Sequence, residues 1–182
     1  MSGLVAAVLL LPPAGAQELG APVPAWHLEY LNYMSRESGR WVTDNTTYRS
    51  DTEAVTEYVL EFAPSFDGTS MTGRLYGQVN GRYTVTLWEY RSYWDATATT
   101  SVLSQFGWEG GSGIGTIRPG GDNVYYAEQT VATPDLPRRI EGHVLSVIDE
   151  DTHRTEAYGV GIDGERIPTR TYTWRRDSAQ VF

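Results

Sequence analysis

The sequence predicts an all-β protein: an antiparallel, up-and-down β-barrel of about eight to ten strands, preceded by one short helix. Three observations lead to this fold class. The 182-residue chain is rich in residues that favour strands and turns, with 12 Tyr, 6 Trp and 19 Gly. After residue 39, apolar and polar residues alternate along short runs that turn-forming dipeptides separate. The second half of the chain has no helical periodicity that could supply crossovers between parallel strands.

Residues 1–16 are predicted to form a cleaved signal peptide. Residues 4–11 are an apolar run that is too short to span a bilayer. Residues 14–16, Ala-Gly-Ala, supply the small side chains of a cleavage site and leave Gln17 as the mature start. No Lys or Arg precedes the apolar run, which departs from the usual pattern. The sequence therefore predicts a secreted or periplasmic protein, and a loosely packed N-terminus is the alternative.

The charge and the residue types argue against several classes of function. The net charge is -9 and the isoelectric point is about 4.7, which argues against nucleic acid and against an anionic membrane surface as partners. The chain has no cysteine, which excludes disulfides, thiolate nucleophiles and Cys-ligated metals. No phosphate loop, dinucleotide fingerprint or His-x-x-x-His pattern occurs. The sequence accordingly predicts no cofactor, no metal and no membrane insertion.

The predicted elements follow one another in a simple order. Residues 17–38 form a lead-in and one amphipathic helix, predicted over 26–38 from apolar residues at helical spacing and ended by Gly39. A single barrel domain is predicted over 39–176, followed by a C-terminal tail over 177–182. The strand-like runs are 40–48, 54–62, 70–79, 82–93, 97–108, 113–118, 123–130, 138–148, 153–161 and 165–176.

Two hairpin turns set the predicted register of the last three strands. A turn at residues 149–152 places Ile148 opposite His153, and a turn at residues 163–164 places His153 opposite Trp174. The predicted interior face then comprises Val144, Ser146, Ile148, His153, Thr155, Ala157, Gly159, Arg170, Tyr172 and Trp174. The predicted solvent face comprises Glu141, His143, Leu145, Val147, Arg154, Glu156, Tyr158, Ile167, Thr169, Thr171 and Thr173.

The stretch SGRWV, at the junction of the predicted helix and the first strand, carries Gly39 and Trp41. Here the chain resembles the lipocalin and fatty-acid-binding superfamily, whose first strand carries Gly-x-Trp and whose barrel packs a basic residue over that Trp. The resemblance assigns this structural role to Arg175 or Arg176. Over residues 31–176 the chain is similar to uncharacterised bacterial secreted lipocalin-like domains. The ten runs and the lack of cysteine depart from the usual pattern of about eight strands and a frequent disulfide, and a plain core role for Trp41 is the alternative.

The predicted interior face offers a ligand site. Arg170 and Tyr172 are similar to the Arg-x-Tyr on the last strand of fatty-acid-binding proteins, which implies that they hold a ligand carboxylate through charge-assisted hydrogen bonds. Trp174 and His153 are predicted to line the same site. The predicted function is therefore binding of a small, largely apolar ligand, with carboxylic acids among the candidates.

An inward-facing Arg170 needs a partner, because a buried unpaired charge is costly. The candidates are water, an acidic side chain from a distant strand such as Glu89 or Glu128, or an anionic ligand. A surface Arg170 beside a core Tyr172 is the alternative.

The histidines suggest alternative functions. His143 and His153 fall on opposite predicted faces, so they are not predicted to form a metal-binding pair. Glu141, His143, Glu156 and Tyr158 share one face and could perform acid–base chemistry, as in an isomerase or cyclase, but only if that face pointed inward. Haem ligation by His153 and a structural domain with a filled core are further alternatives.

Overall fold

Ten antiparallel strands close into a barrel behind one helix, which confirms the predicted fold class. The computed structural model describes residues 21–50 and 53–178, without the side chain of Trp108. The predicted signal peptide, residues 1–16, lies outside the described residues. The helix and strands are α1 (Ala25–Ser35), β1 (Arg40–Asp44), β2 (Glu57–Ser65), β3 (Ser70–Val79), β4 (Arg82–Asp95), β5 (Thr100–Gly107), β6 (Ser112–Gly121), β7 (Val124–Thr133), β8 (Leu136–Asp149), β9 (Thr152–Val160) and β10 (Arg166–Arg176).

Each strand pairs with its neighbours in sequence, and β1 pairs with β10 to complete the barrel. This architecture is compatible with the calycin-like fold that the resemblance implies. One end, here called the closed end, carries α1 and the turns that join β2 to β3, β4 to β5, β6 to β7 and β8 to β9. The other end, the mouth, carries residues 45–56 between β1 and β2, and the turns that join β3 to β4, β5 to β6, β7 to β8 and β9 to β10.

The helix α1 plugs the closed end. Its Tyr30 ring lies 5.0 Å from the Tyr125 ring of β7, and the Tyr33 hydroxyl donates to the Asp149 carbonyl at 3.3 Å. Its first residues have no side-chain cap, so packing against the barrel is what stabilises so short a helix. No helix in the described part of the chain is long and apolar enough to cross a membrane.

The chain leaves α1 through a glycine that no other residue could replace without strain. The helix ends at Ser35, earlier than the predicted range 26–38. Gly39 has a φ of +59°, and a Cβ on it would lie 1.9 Å from the Phe62 carbonyl oxygen. Both the positive φ and the close approach require glycine here. Gly39 thereby aims β1 back across the closed end.

Trp41 lies fully buried at the closed end. Its indole N–H donates to the Met34 carbonyl at 2.9 Å. The Arg176 guanidinium carbon lies 4.0 Å from the Trp41 ring centroid, and its Nη2 donates to the Tyr33 carbonyl at 3.1 Å. Arg176 therefore covers Trp41, while Arg175 is exposed, because successive side chains of a strand point to opposite faces.

An irregularity at Ile148 shifts β8 by one residue against β9 and reverses the predicted faces of β8. Val147, and not Ile148, lies opposite His153. A one-residue shift exchanges the two faces of a strand, so Leu145 is 3% exposed whereas Ile148 is 59% exposed. His143 also points inward, which corrects its predicted place on the solvent face. The residues predicted inside that point outward are Val144, Ser146 and Ile148.

From Arg170 to Arg175, β10 keeps the predicted register against β9, whereas residues 166–168 are shifted by one residue. Ile167 therefore lies opposite the inward-facing Gly159, which corrects its predicted place on the solvent face. Residues 161–165 form a longer loop than the predicted two-residue turn. An irregularity just before Arg170 absorbs the difference, so Ala157 lies opposite Arg170 as predicted. Arg170, Tyr172 and Trp174 therefore point into the barrel.

Strands β1 and β10 meet in a short seam. Their backbone pairing ends at Val42. Towards the mouth, the Thr43 hydroxyl donates to the Thr173 carbonyl at 2.8 Å, and the Tyr48 hydroxyl accepts the Thr171 N–H at 2.8 Å. Side chains thus replace the backbone ladder along the outer half of the seam.

Candidate functional site

The barrel interior between α1 and the mouth is the candidate site. Ten strands enclose a wider space than the roughly eight strands whose side chains just fill a barrel. Several inward-facing residues near the middle of the strands are only partly buried. They are Leu60, Leu75, Tyr90, His143, Val147, Thr155 and Ala157. We call the space that they border the inner chamber.

Among the polar side chains that face the inner chamber are Tyr30 from α1, Tyr90 from β4 and His143 from β8. The described residues offer none of these three a hydrogen-bond partner. Burial raises the pKa of Tyr90, and the neighbouring Tyr30 raises it further. Burial lowers the pKa of His143 to about 4. All three groups are therefore uncharged at neutral pH and able to exchange hydrogen bonds with a bound molecule.

Arg170 and Tyr172 lie nearer the mouth, where Glu53 from the segment between β1 and β2 binds them. Arg170 donates from Nη1 and Nη2 to the two carboxylate oxygens of Glu53, at 3.1 and 2.9 Å. Arg170 Nη1 also donates to the Tyr172 hydroxyl at 3.2 Å, which in turn donates to Asn45 Oδ1 at 2.9 Å. The Tyr58 hydroxyl donates to the same Glu53 carboxylate. We call these five residues the mouth cluster.

Within the mouth cluster, Glu53 takes the position that the prediction reserves for a ligand carboxylate. The hydrogen bonds from Arg170 hold the pKa of Glu53 below its ordinary value, and the same bonds raise the pKa of Arg170. The pair is partly accessible, with the Glu53 side chain 22% and the Arg170 side chain 39% exposed. A ligand carboxylate could therefore bind Arg170 only after Glu53 had moved aside.

The other two predicted ligand-binding residues, His153 and Trp174, are packed into the wall near the closed end. The His153 ring lies 4.5 Å from the Trp41 ring and 6.2 Å from the Trp174 ring. The Trp174 indole donates to Thr155 Oγ1 at 2.8 Å. Burial lowers the pKa of His153 to about 3. Both ring nitrogens of His153 are buried, so neither is accessible to the iron of a haem.

The candidate acid–base cluster is divided between the two faces of the wall. Glu141 and His143 point inward from β8, two residues apart on one strand. Glu156 and Tyr158 point outward from β9. The Glu141 carboxylate is bound by Arg139. The interior therefore contains an imidazole next to a carboxylate, without the other two predicted members.

Sequence reasoning missed Glu53, Tyr30 and Tyr90 as site residues. Glu53 lies in a segment with no strand or helix pattern, and its partner Arg170 is distant in sequence, so no local signal identifies the pair. Tyr90 carries a signal, because alternation along β4 places it on the inward face with Ser92. Tyr30 is on the buried face of α1, but the sequence does not reveal that this face closes a barrel.

Neither a metal site nor a similar known protein indicates the function. Among the described residues, no group of three or more His, Asp or Glu side chains could hold a metal ion. No protein-family model matches the chain, and no curated protein matches it. Its function therefore has to follow from the geometry and chemistry of the interior.

Proposed function

We propose that the protein is an exported, lipocalin-like binding barrel that holds a small, largely apolar and uncharged molecule in the inner chamber. The proposal rests on three interior polar side chains that form no hydrogen bond with the described residues and are uncharged at neutral pH: Tyr30, Tyr90 and His143. Buried polar groups are normally hydrogen-bonded, so these groups are suited to anchor a polar atom of a ligand. The apolar wall around them supplies the affinity.

The charges around the chamber favour a neutral ligand. The inward-facing cations Arg139 and Arg170 are already bound by Glu141 and Glu53. A carboxylate in the chamber would lose its hydration without gaining a counter-charge, which is costly. A carbonyl or hydroxyl oxygen, in contrast, can accept hydrogen bonds from phenol or imidazole groups. The proposed ligand is therefore an apolar molecule with a carbonyl or a hydroxyl group.

The neutral fluorophore Nile red, an apolar carbonyl compound, tests the proposal. Its fluorescence should rise on binding and saturate at one molecule per barrel. Ala157→Leu adds volume on the inward face of β9 and should weaken binding by about tenfold or more, because overpacking and ligand displacement each cost on the order of 1 kcal/mol. Glu156→Leu is the matched control, since it makes the adjacent outward residue equally apolar and should leave affinity unchanged. Non-saturable binding, or equal affinity in both variants, would refute a chamber ligand.

A second candidate function is acid–base catalysis on the same class of ligand. The observation in its favour is the reversed face of β8, which brings Glu141 and His143 into the interior together. Burial lowers the pKa of His143 to about 4, so the imidazole is unprotonated at neutral pH and would act on a ligand proton only as a weak base. Mass spectrometry separates the two functions: a binder returns the bound molecule unchanged, whereas an enzyme returns an isomer or a cyclised product, and His143→Phe abolishes that conversion.

A further inference from the structure

Two buried glutamines face the interior of the barrel. Gln105 on β5 lies directly opposite the inward-facing Tyr90 of β4, and residues that pair directly across two strands share a face. Gln129 on β7 lies directly opposite the inward-facing Glu141 of β8. Gln105 is 6% and Gln129 is 7% exposed. The wall of the inner chamber therefore carries two primary amides in addition to its phenols and its imidazole.

The strand between the two glutamines, β6, has glycine where its inner face meets them. Gly113 lies opposite Gln105, and Gly115 lies opposite Gln129. Gln105 Nε2 lies 2.9 Å, and Gln129 Oε1 lies 3.0 Å, from the position that a Cβ on Gly113 would take. The ends of both side chains therefore lie over Gly113 and close to each other. We call Gln105 and Gln129 the glutamine pair.

The glutamine pair forms no hydrogen bonds of its own. Neither side chain has a hydrogen-bond partner among the described residues, and Gln129 Oε1 is buried without one. A buried polar atom without a partner is rare and destabilising. A primary amide has both an acceptor and donors. One bound group that accepts a hydrogen bond from Gln105 and donates one to Gln129 would therefore satisfy both amides.

Glu141 adds a second acceptor beside Gln129 and borders open space. It lies between Gln129 on β7 and Gly159 on β9. Apart from the chain neighbours of Gly159, no described atom lies within 4 Å of the position that a Cβ on Gly159 would take. Arg139 binds the Glu141 carboxylate, and the Glu141 side chain is still 40% exposed. The wall around Gln129 therefore offers acceptors to a ligand that brings a hydrogen-bond donor.

We infer that the glutamine pair selects a ligand whose carbonyl stands next to an N–H group, as in a lactam or another secondary amide. This inference rests on the proposed chamber ligand and names its polar group. The ligand carbonyl accepts a hydrogen bond from Gln105 Nε2, and the ligand N–H donates one to Gln129 Oε1. A lactam is uncharged and can otherwise be apolar, so it suits the neutral chamber.

Other polar groups satisfy the glutamine pair less well. An isolated ketone or ester carbonyl leaves Gln129 Oε1 without a donor. A carboxylate has no proton to donate and is repelled by Glu141. A hydroxyl has to donate and accept through one oxygen atom, which a bound water does equally well. A secondary amide divides the two hydrogen bonds between two atoms, so it gains more from the glutamine pair than a hydroxyl does.

Two probes that differ by one methyl group test the inference. The lactam 2-quinolinone has an N–H next to its carbonyl, whereas 1-methyl-2-quinolinone keeps the carbonyl and lacks the N–H. In isothermal titration calorimetry, the wild-type protein should bind 2-quinolinone about tenfold or more tightly, because the methylated probe leaves Gln129 Oε1 unpartnered. Equal affinities, as expected if only an ordered water bridges the amides, would overturn the inference. Absence of binding by both probes would overturn it as well.

Three glutamine variants show where the preference arises. Gln129→Met removes the acceptor at nearly constant side-chain length and should abolish the preference for 2-quinolinone. Gln105→Met should weaken both probes alike, since both carry the carbonyl. Gln78→Met is the matched control, because Gln78 is 8% exposed and lies on the outer face of β3, and it should keep the wild-type preference. The preference is a ratio measured within one variant, so partial unfolding does not change it. A preference that survives in Gln129→Met would overturn the inference.

Failure of this inference and failure of the proposed function can be told apart. Nile red has no N–H group, so its binding reports on the chamber without the glutamine pair's acceptor. Saturable binding of Nile red together with equal affinities for the two quinolinones would reject the amide ligand and leave the binding barrel in place. Absence of saturable binding for all three compounds would reject both.

Discussion

At the scale of single residues, the histidines are held in a neutral form by the fold. His153 packs between Trp41 and Trp174 and has no hydrogen-bond partner for either ring nitrogen among the described residues. Burial lowers the pKa of His153 to about 3 and that of His143 to about 4. Neither can take up a proton near pH 6 unless the structure opens.

This makes stability depend on pH in a defined window. An unfolded histidine protonates near pH 6.5, so as the pH falls below about 6.5 the unfolded chain binds protons that the folded chain does not. Stability is therefore lost as the pH falls from about 6.5 towards the folded pKa values, by on the order of 2 kcal/mol for each buried histidine at about pH 5. Carboxylates contribute mainly below about pH 5.

His153→Phe should reduce this acid sensitivity. The phenyl ring keeps the packing with both indoles and removes the group that protonates in the unfolded chain. We expect thermal unfolding, followed by circular dichroism at pH 7, 6 and 5, to show a smaller decrease in Tm for the variant than for the wild type. At pH 7 the variant should be as stable or more stable, because the two unpartnered nitrogens are gone. An unchanged pH dependence would contradict a buried, neutral His153.

Glu53 is the residue that decides between a neutral and an acidic ligand. Glu53→Gln keeps the shape of the side chain but removes the charge that binds Arg170. We expect affinity for a fluorescent fatty acid to increase by about tenfold or more, because the freed guanidinium can bind a carboxylate with two charge-assisted bonds. Nile red affinity should stay constant. A wild-type protein that binds the fatty acid as tightly as the variant does would show instead that ligands displace Glu53.

At the scale of elements, the strands and their order could be predicted from the sequence better than the register of each strand pair. Alternation and turn dipeptides were sufficient to identify ten strands, because both are local properties. The inward direction of Arg170 was also predicted correctly, although the loop at residues 161–165 was not. The irregularity before Arg170 compensates for the extra length of this loop. Such a compensation cannot be recognised in the alternation of apolar and polar residues.

The faces of β8 could not be predicted in this way. The irregularity at Ile148 adds one residue to one strand of the hairpin, and a single extra residue reverses every side chain beyond it. Ile148 was predicted inside because the predicted turn placed it opposite His153, whereas it stands on the solvent side. The same error hid His143 from the predicted interior and so concealed part of the inner chamber.

The contact between α1, β1 and β10 gives a prediction for the closed end. Trp41→Ala should destabilise the protein by about 3 kcal/mol or more, since it removes a fully buried ring and leaves Arg176 without its stacking partner. Arg176→Ala should cost on the order of 1 kcal/mol or more. The matched control Arg175→Ala, on the exposed face of the same strand, should leave the denaturant midpoint almost unchanged. Equal losses for both arginines would contradict the role of Arg176.

At the scale of the whole molecule, the proposed export gives a further prediction. The apolar run over residues 4–11 and the small residues at 14–16 precede all elements of the barrel. We expect protein recovered from the periplasm or the medium to begin near Gln17 when its N-terminus is sequenced. Protein that stays in the cytoplasm and begins at Met1 would contradict export.

The seam between β1 and β10 differs from the other strand pairs of the barrel in the chain entropy that is lost when it forms. All other strand pairs join neighbours in sequence, so they can form as local hairpins with little loss of chain entropy. The seam joins the first strand to the last, and its backbone ladder is shorter than that of any other strand pair. We therefore expect the seam to form last during folding and to open first in native-state fluctuations. Hydrogen exchange should then be fastest, within the wall, at the Thr171 amide, which a Tyr48 hydroxyl protects in place of backbone. If the barrel opens along this seam while its other strand pairs remain intact, it has a lateral opening. A ligand could enter the interior through that opening without passing the mouth.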